Sequence, residues 1–185
     1  MNTIEQSIEV DAPIRTVYNQ WTQFEEFPEF MEGVEEVRQL DDQRLHWVAE
    51  IAGQRREWDA EIHEQTPDQQ IAWRSVSGQR NEGVIRFEKL AENRTRVCVV
   101  ITYEPEGALE KMGGALGVAS ARVKGDLKRF KTFIESHGTA TGAWRGEIHG
   151  GQTSREVTSV PRSKRLFDEH SGSISASGTS DPGMR

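Results

Sequence analysis

Between Val34 and Tyr103 the chain repeats one pattern six times: a short run of alternating apolar and polar residues, then a tight turn. Successive side chains of a strand point to opposite faces, so a period of two marks a strand with one buried face. Leu45, Trp47, Ala49 and Ile51 alternate with His46, Val48 and Glu50. Trp58, Ala60 and Ile62 alternate with Glu57, Asp59, Glu61 and His63. Ile71, Trp73 and Ser75 lead the next run, Ile85 and Phe87 the one after, and Val97, Val99, Ile101 and Tyr103 the last. The first run is Val34 to Leu40. Gly53-Gln54, Pro67-Asp68, Gly78 and Asn93 supply the turns. Turns this short join antiparallel neighbours, because a parallel pair needs a crossover of a dozen residues or more. The segment therefore predicts an antiparallel meander.

Two further features complete the pattern. Ile4, Gln6, Ile8 and Val10 alternate with Thr3, Glu5, Ser7 and Glu9, which predicts a strand at the N-terminus. Asp11 is placed to cap a short helix with Pro13 in its first turn and Val17, Tyr18 and Trp21 on its apolar face. A second short helix is expected from Phe24 to Phe30. After Pro105 and Gly107 a long helix is expected from about Ala108 to Ser136. Leu109, Met112, Leu116, Ala119, Val123, Leu127, Phe130 and Ile134 follow at steps of three and four as one apolar stripe. At 1.5 Å per residue this helix spans roughly 39 Å, enough to cross a sheet whose ten-residue strands span roughly 33 Å. The expected class is α+β, a curved seven-stranded antiparallel sheet with two short helices after the first strand and a long C-terminal helix.

Residues 1–137 hold 17 Lys and Arg against 25 Asp and Glu, within an overall net charge of −7. A charge of that sign argues against broad nucleic-acid binding, which needs clustered cations on the phosphates. From Gly138 onward Gly, Ser and Thr crowd the sequence. Such composition buries too little apolar area to offset its ordering entropy, so 1–137 is expected as the folded domain and 138–185 as a disordered polar tail. The single cysteine, Cys98, lies in an apolar run and reads as a packed thiol. The lack of any disulfide fits a reducing cytoplasm. The N-terminus shows no signal peptide pattern, and no apolar run reaches the ~18 residues of a membrane span.

Several segments resemble the polyketide cyclase/dehydrase branch of the START-like (SRPBCC) superfamily, which includes the coenzyme Q-binding START-type proteins. They are Asp11-Ala12-Pro13 with Val17-Tyr18, the run Trp21 to Met31, Ile71-Ala72-Trp73-Arg74-Ser75, Asn81 to Phe87, Thr95-Arg96-Val97 and Asp126 to Lys131. Their order and spacing over residues 1–137 carry the resemblance. It implies a helix-grip fold, β-α-α-β6-α, with a cavity between the long helix and the concave sheet.

No phosphate loop, His-Glu-x-x-His or Cys-x-x-Cys is present. His46 and His63 fall on the outward parity, away from Trp47 and Trp58, so no metal site is expected; no cofactor is expected either. The inward set mixes very large with small residues. Facing it from the helix are Met112, Leu116 and Ala119 beside Gly113, Gly114 and Gly117, and three glycines in a helix cost about 1 kcal/mol each against alanine. That cost points to close backbone approach or to room for a ligand. The expected ligand-binding residues are Phe27, Met31, Trp47, Ile51, Trp58, Trp73, Ser75, Phe87, Tyr103, Met112, Leu116 and Gly117. Ser75, Tyr18 and Tyr103 are the polar handles. A mostly apolar cavity suits a small hydrophobic molecule, lipid-, quinone- or polyketide-like. Acid–base catalysis wants a buried His, Asp or Glu, and no inward strand position offers one. Three functions compete: a non-enzymatic carrier, an aromatase or cyclase using Arg74, Arg86 or Tyr103, and a stress-associated interaction protein. The basic–apolar cluster Arg162 to Phe167 suits docking on a partner or an anionic membrane surface.

Overall fold

A computed structural model describes residues 1–51, 53–105 and 114–154. In chain order the elements are β1 (Asn2–Val10), α1 (Ile14–Trp21), a 3-10 helix (Phe24–Glu29), β2 (Val34–Gln39), β3 (Arg44–Ile51), β4 (Gln54–Thr66), β5 (Gln70–Ser75), β6 (Asn81–Ala91), β7 (Arg94–Tyr103), α2 (Ala115–His137), β8 (Glu147–His149) and β9 (Gln152–Ser154). The sheet runs β1-β7-β6-β5-β4-β3-β2 with every described pairing antiparallel. The meander and the N-terminal strand thus stand where the period-two pattern put them, and a long helix follows the strands. This is the helix-grip arrangement. Among the described residues no helix is long and apolar enough to cross a membrane.

Directly opposed residues share a face, which fixes an inner set: Ile8, Val10, Leu45, Trp47, Ile62, Ile71, Trp73, Ile85, Phe87, Val97, Val99 and Ile101 all join the core cluster or pack against it, and Trp58 shares their face as the cross-strand partner of Trp47. A bulge in β4 between Ile62 and Glu64 shifts the alternation, so Gln65 and not Glu64 faces inward, opposite Ile71. Gln65 is fully buried there and its Nε2 donates to the Tyr18 hydroxyl at 2.9 Å.

The expected Asp11 cap does not form. Pro13 holds the N-cap position of α1 and no side chain caps it. Asp11 instead lies near Arg94 and Lys131, and its backbone N–H donates to Glu135 at the far end of α2. The expected helix start at Ala108, with Leu109 and Met112, falls outside the described residues; the described helix begins at Ala115.

Past the domain boundary expected at His137 the described chain stays in contact with the fold. Gly138 ends α2 in the left-handed region, φ 71°, and the chain turns back over the fold. Thr141 hydrogen-bonds Gln20 and Glu26. Trp144 packs on the core, and its N–H donates to Thr22. Arg145 makes a two-pronged pair with Asp68, at 3.0 and 2.7 Å, with its guanidinium 5.5 Å above the Tyr18 ring. β8 then pairs with β4 at Glu64 and Gln65, beyond the point where β3 begins, and Ile148 is fully buried. A few well-spaced anchors hold a polar strap; the bulk composition from Gly138 onward conceals them. Residues 155–185 lie outside the described part.

Truncation after His137 exposes the surface under Trp144 and Ile148 and unpairs Asp68. Loss of buried side chains of this size costs about 2–5 kcal/mol, so the melting temperature should fall by more than about 5 °C, read by calorimetry. An unchanged value would return the strap to the status of a tail.

Tyr18 is fully buried, and desolvation pushes its phenol up to about 12 despite the hydrogen bond from Gln65. The unfolded phenol ionises near 10, the folded one near 12, so the folded state holds its proton longer and loses stability as pH rises between them. The loss should approach roughly 3 kcal/mol. Urea unfolding from pH 9 to 11 should show about half of this loss, and Tyr18→Phe should flatten the slope.

Candidate functional site

The inner face divides along the strands into a closed and an open half. In the closed half Val10, Val97, Ile62, Ile71, Leu45 and Ile85 are buried beneath α1, the 3-10 helix and the C-terminal half of α2. Phe130 of α2 is fully buried, with its ring centroid 4.9 Å from Trp21 and 5.2 Å from Phe30. Trp21 also meets Phe27 edge-on at 5.2 Å. Leu127 and Ile134 complete the buried stripe of α2.

Toward the end where β1 starts and β7 stops, the same face opens. Trp47, Ile51, Trp58, Trp73, Ser75, Asn81, Ile101 and Tyr103 are half-buried there. α2 reaches this end at its N-terminus, since Gln6 of β1 donates to Ser120 at 2.8 Å while Lys131 reaches the Glu9 carbonyl farther on. Leu116 is 38% exposed, and a Cβ at Gly117 would meet nothing within 4 Å.

Three indoles floor the open half. Trp47 and Trp58 are cross-strand partners, stacked with centroids 5.7 Å apart and planes 9° apart. Phe27 flanks Trp47 at 5.7 Å, linking this stack to the closed half. Trp73 donates from Nε1 to Asn81 Oδ1 at 3.3 Å. A polar rim borders them. The Asn81 N–H donates to Ser75 Oγ, and Asn81 Nδ2 donates to the Gln79 carbonyl. Gln79 donates from Nε2 to the Glu104 carbonyl and accepts from Arg56 Nη1 at 3.0 Å. Arg56 stands opposite Ala49 on the inner parity, two residues before Trp58.

The wall formed by α2 is clamped to the segment before β2. Arg122 donates to the carbonyls of Glu32, at 2.8 Å, and Glu50, at 3.0 Å. Its guanidinium fills the space beside Gly33, where φ is 73° and a Cβ would fall 2.8 Å from the Glu50 carbonyl oxygen, so glycine is required. Arg129 donates to the Phe30 carbonyl at 3.0 Å and pairs with Asp126. The Asp126 carboxyl accepts from the Glu32 N–H at 2.9 Å; its burial raises its pKa against the pull of these partners.

Of the expected site residues the structure brings Trp47, Ile51, Trp58, Trp73, Ser75 and Tyr103 to one end of one face. Leu116 and Gly117 lie at the α2 end of that opening. Phe27 and Met31 belong to the packed base beside Trp47. Phe87 is placed elsewhere: it lies in the closed half, edge-on to Tyr18 at 5.4 Å, and Tyr18 spends its hydroxyl on Gln65. Met112 lies outside the described residues. Arg56, Asn81, Gln79, Gln6 and Ser120 were missed. Carrying the Trp58-Ala60-Ile62 parity back two residues identifies Arg56. His46 is outward, its Nδ1 2.7 Å from Asp59, as its parity implies. Among the described residues no three His, Cys, Asp or Glu gather as a metal site. A separate groove of about 450 Å³, lined by Glu29, Gly125, Lys128, Arg129, Thr132 and Phe133, lies on the outer flank of α2.

Residues 10–132 match the family model described as polyketide cyclase/dehydrase and lipid transport. An uncharacterized 17.2 kDa protein of Streptomyces lincolnensis is 47% identical over 149 residues, 80% of this chain and 99% of that one. Among solved structures, a Deinococcus radiodurans protein is 26% identical with a TM-score of 0.58, covering 74% of this chain and 99% of its own. A START superfamily protein from Mycobacterium smegmatis (16% identical, TM-score 0.64, 73% and 98% covered) shares the fold. So does the Zhui aromatase/cyclase from a Streptomyces species (18%, 0.61, 77% and 99%). With two thirds of its length matched to one family model, the chain belongs to the polyketide cyclase/dehydrase and lipid transport family.

Proposed function

We propose that this protein binds a small hydrophobic molecule in the open half of the inner face and carries it without transforming it. The observation that carries the reading is the half-burial of Trp47, Trp58 and Trp73 on the same sheet face whose other end is fully packed. Apolar surface left facing water forgoes about 25 cal/mol per Å², which a ligand restores on binding. The surroundings suit such a guest: a largely apolar floor with a few convergent polar groups, Ser75, Asn81, Arg56 and Tyr103, at one border. Family membership supports the ligand class. The fold likeness to an aromatase/cyclase carries no chemistry across, because function resides in the site. Among the described residues, the inner strand positions of the open half hold no His, Asp or Glu to move a proton, and this favours carriage over catalysis.

A quinone, a fatty acid and a polycyclic aromatic, each at about a hundred times its Kd, should stabilise the fold by about 2.7 kcal/mol. The melting temperature then rises by roughly 5–10 °C, with a change in tryptophan fluorescence. A panel giving neither signal removes the carrier reading.

Tyr103→Phe and Ser75→Ala should each weaken binding by less than about tenfold, since a neutral hydrogen bond contributes about 0.5–1.5 kcal/mol. The ligand should be recovered chemically unchanged by mass spectrometry. Saturable conversion that collapses in Tyr103→Phe would put the aromatase/cyclase reading first.

A further inference from the structure

The Trp73 side chain does not stand up from the sheet. Trp73 of β5 pairs with Gly83 of β6, and a Cβ at Gly83 would lie 2.4 Å from Cζ2 and 2.7 Å from Cη2 of the indole. The six-membered ring therefore rests over the β6 backbone in space that only glycine leaves empty. Glycine inside a strand weakens it and marks a close approach. Here what approaches is a side chain of the site itself. The same edge of the indole is also tied: Nε1 donates to Oδ1 of Asn81, two residues from Gly83 on the same face of β6. Asn81 is held in turn through the Ser75 hydroxyl and the Gln79 carbonyl. A steric seat and a hydrogen bond thus lay the ring along the sheet and fix it there. It lies in the same open half as the Trp47–Trp58 stack, itself almost parallel.

A fixed aromatic floor treats two kinds of hydrophobic guest differently. A planar ring gains stacking beyond its buried area. An acyl chain gains only the area and loses rotamer freedom as it is immobilised. We propose that Gly83 and Asn81 are positioning residues that hold Trp73 as a rigid stacking surface, so that the site selects planar aromatic molecules over acyl chains of equal size. The proposal rests on the ligand site described above and names what that site prefers.

The test compares 2-naphthoate with decanoate, two carboxylates of nearly equal carbon count, by titration calorimetry on the full chain. Naphthoate should bind about tenfold tighter or better. Gly83→Ala, which lifts the indole, and Asn81→Ala, which unties it, should each bring the ratio of the two affinities close to one. Asn81→Asp, which keeps the acceptor oxygen, should restore the preference. General damage to the fold weakens both ligands alike, so the ratio isolates positioning from stability. If Gly83→Ala does not fold, the Asn81 pair carries the test. Decanoate binding as tightly as naphthoate overturns the selectivity while leaving the ligand site standing. A preference unchanged in both alanine variants overturns the positioning role. Binding of neither probe overturns this proposal and the ligand site together.

Discussion

Phe130 is the contact on which the rest of this structure depends. Fully buried among Trp21 and Phe30, it joins α2, α1 and the segment after the 3-10 helix at one end of the sheet. Aromatic pairs of this kind contribute about 0.5–1.5 kcal/mol each beyond their area, and several share this cluster. Because the cluster sits under the C-terminal half of α2, the helix is gripped strongly at one end. At the other end its contacts are lighter: the Gln6–Ser120 hydrogen bond, and Arg122 on two carbonyls. Among the described residues, the sheet face is less covered at that end than at the other. The strap from Gly138 to Ser154 strengthens this asymmetry, since Trp144, Arg145 and Ile148 all pack toward the end that is already closed.

The face on which a residue lies was legible in the sequence; its depth along the strand was not. Alternation alone placed Trp47, Trp58 and Trp73 inward and His46 outward, because a strand's parity is local. The same parity placed Phe87 correctly on the inner face but assigned it to the ligand, when α1 covers it. Which half of a strand is covered depends on where α2 crosses, a tertiary fact that no period reports. Parity also fails where a bulge resets it. At Ile62–Glu64 the inward position passes to Gln65, which an unbroken alternation would turn to solvent.

The strap was missed for a different reason. Composition averages over a window, and Gly138 to Ser154 averages to a polar linker. Its order comes from single residues meeting single partners: Arg145 with Asp68, Thr141 with Gln20, Ile148 beside Gln65. Each partner lies 75 residues or more earlier in the chain, so nothing local signals the contact. The polar rim was hidden similarly. Gln79 and Asn81 look like turn residues, and only the folded hairpin shows that Gln79 ties Arg56 to Glu104 while Asn81 ties down Trp73.

If the proposed ligand site is right, folding and binding are coupled through the same sheet face. Fully burying a large apolar side chain is worth about 1.5–3 kcal/mol, and the open half leaves part of that gain untaken at each of three indoles. Gly83 adds a further cost of roughly 0.5–1 kcal/mol in a strand interior. A guest that covers the indoles completes the core that the helix leaves open, so occupancy should tighten the end of the fold where α2 begins more than the end where Phe130 already holds it.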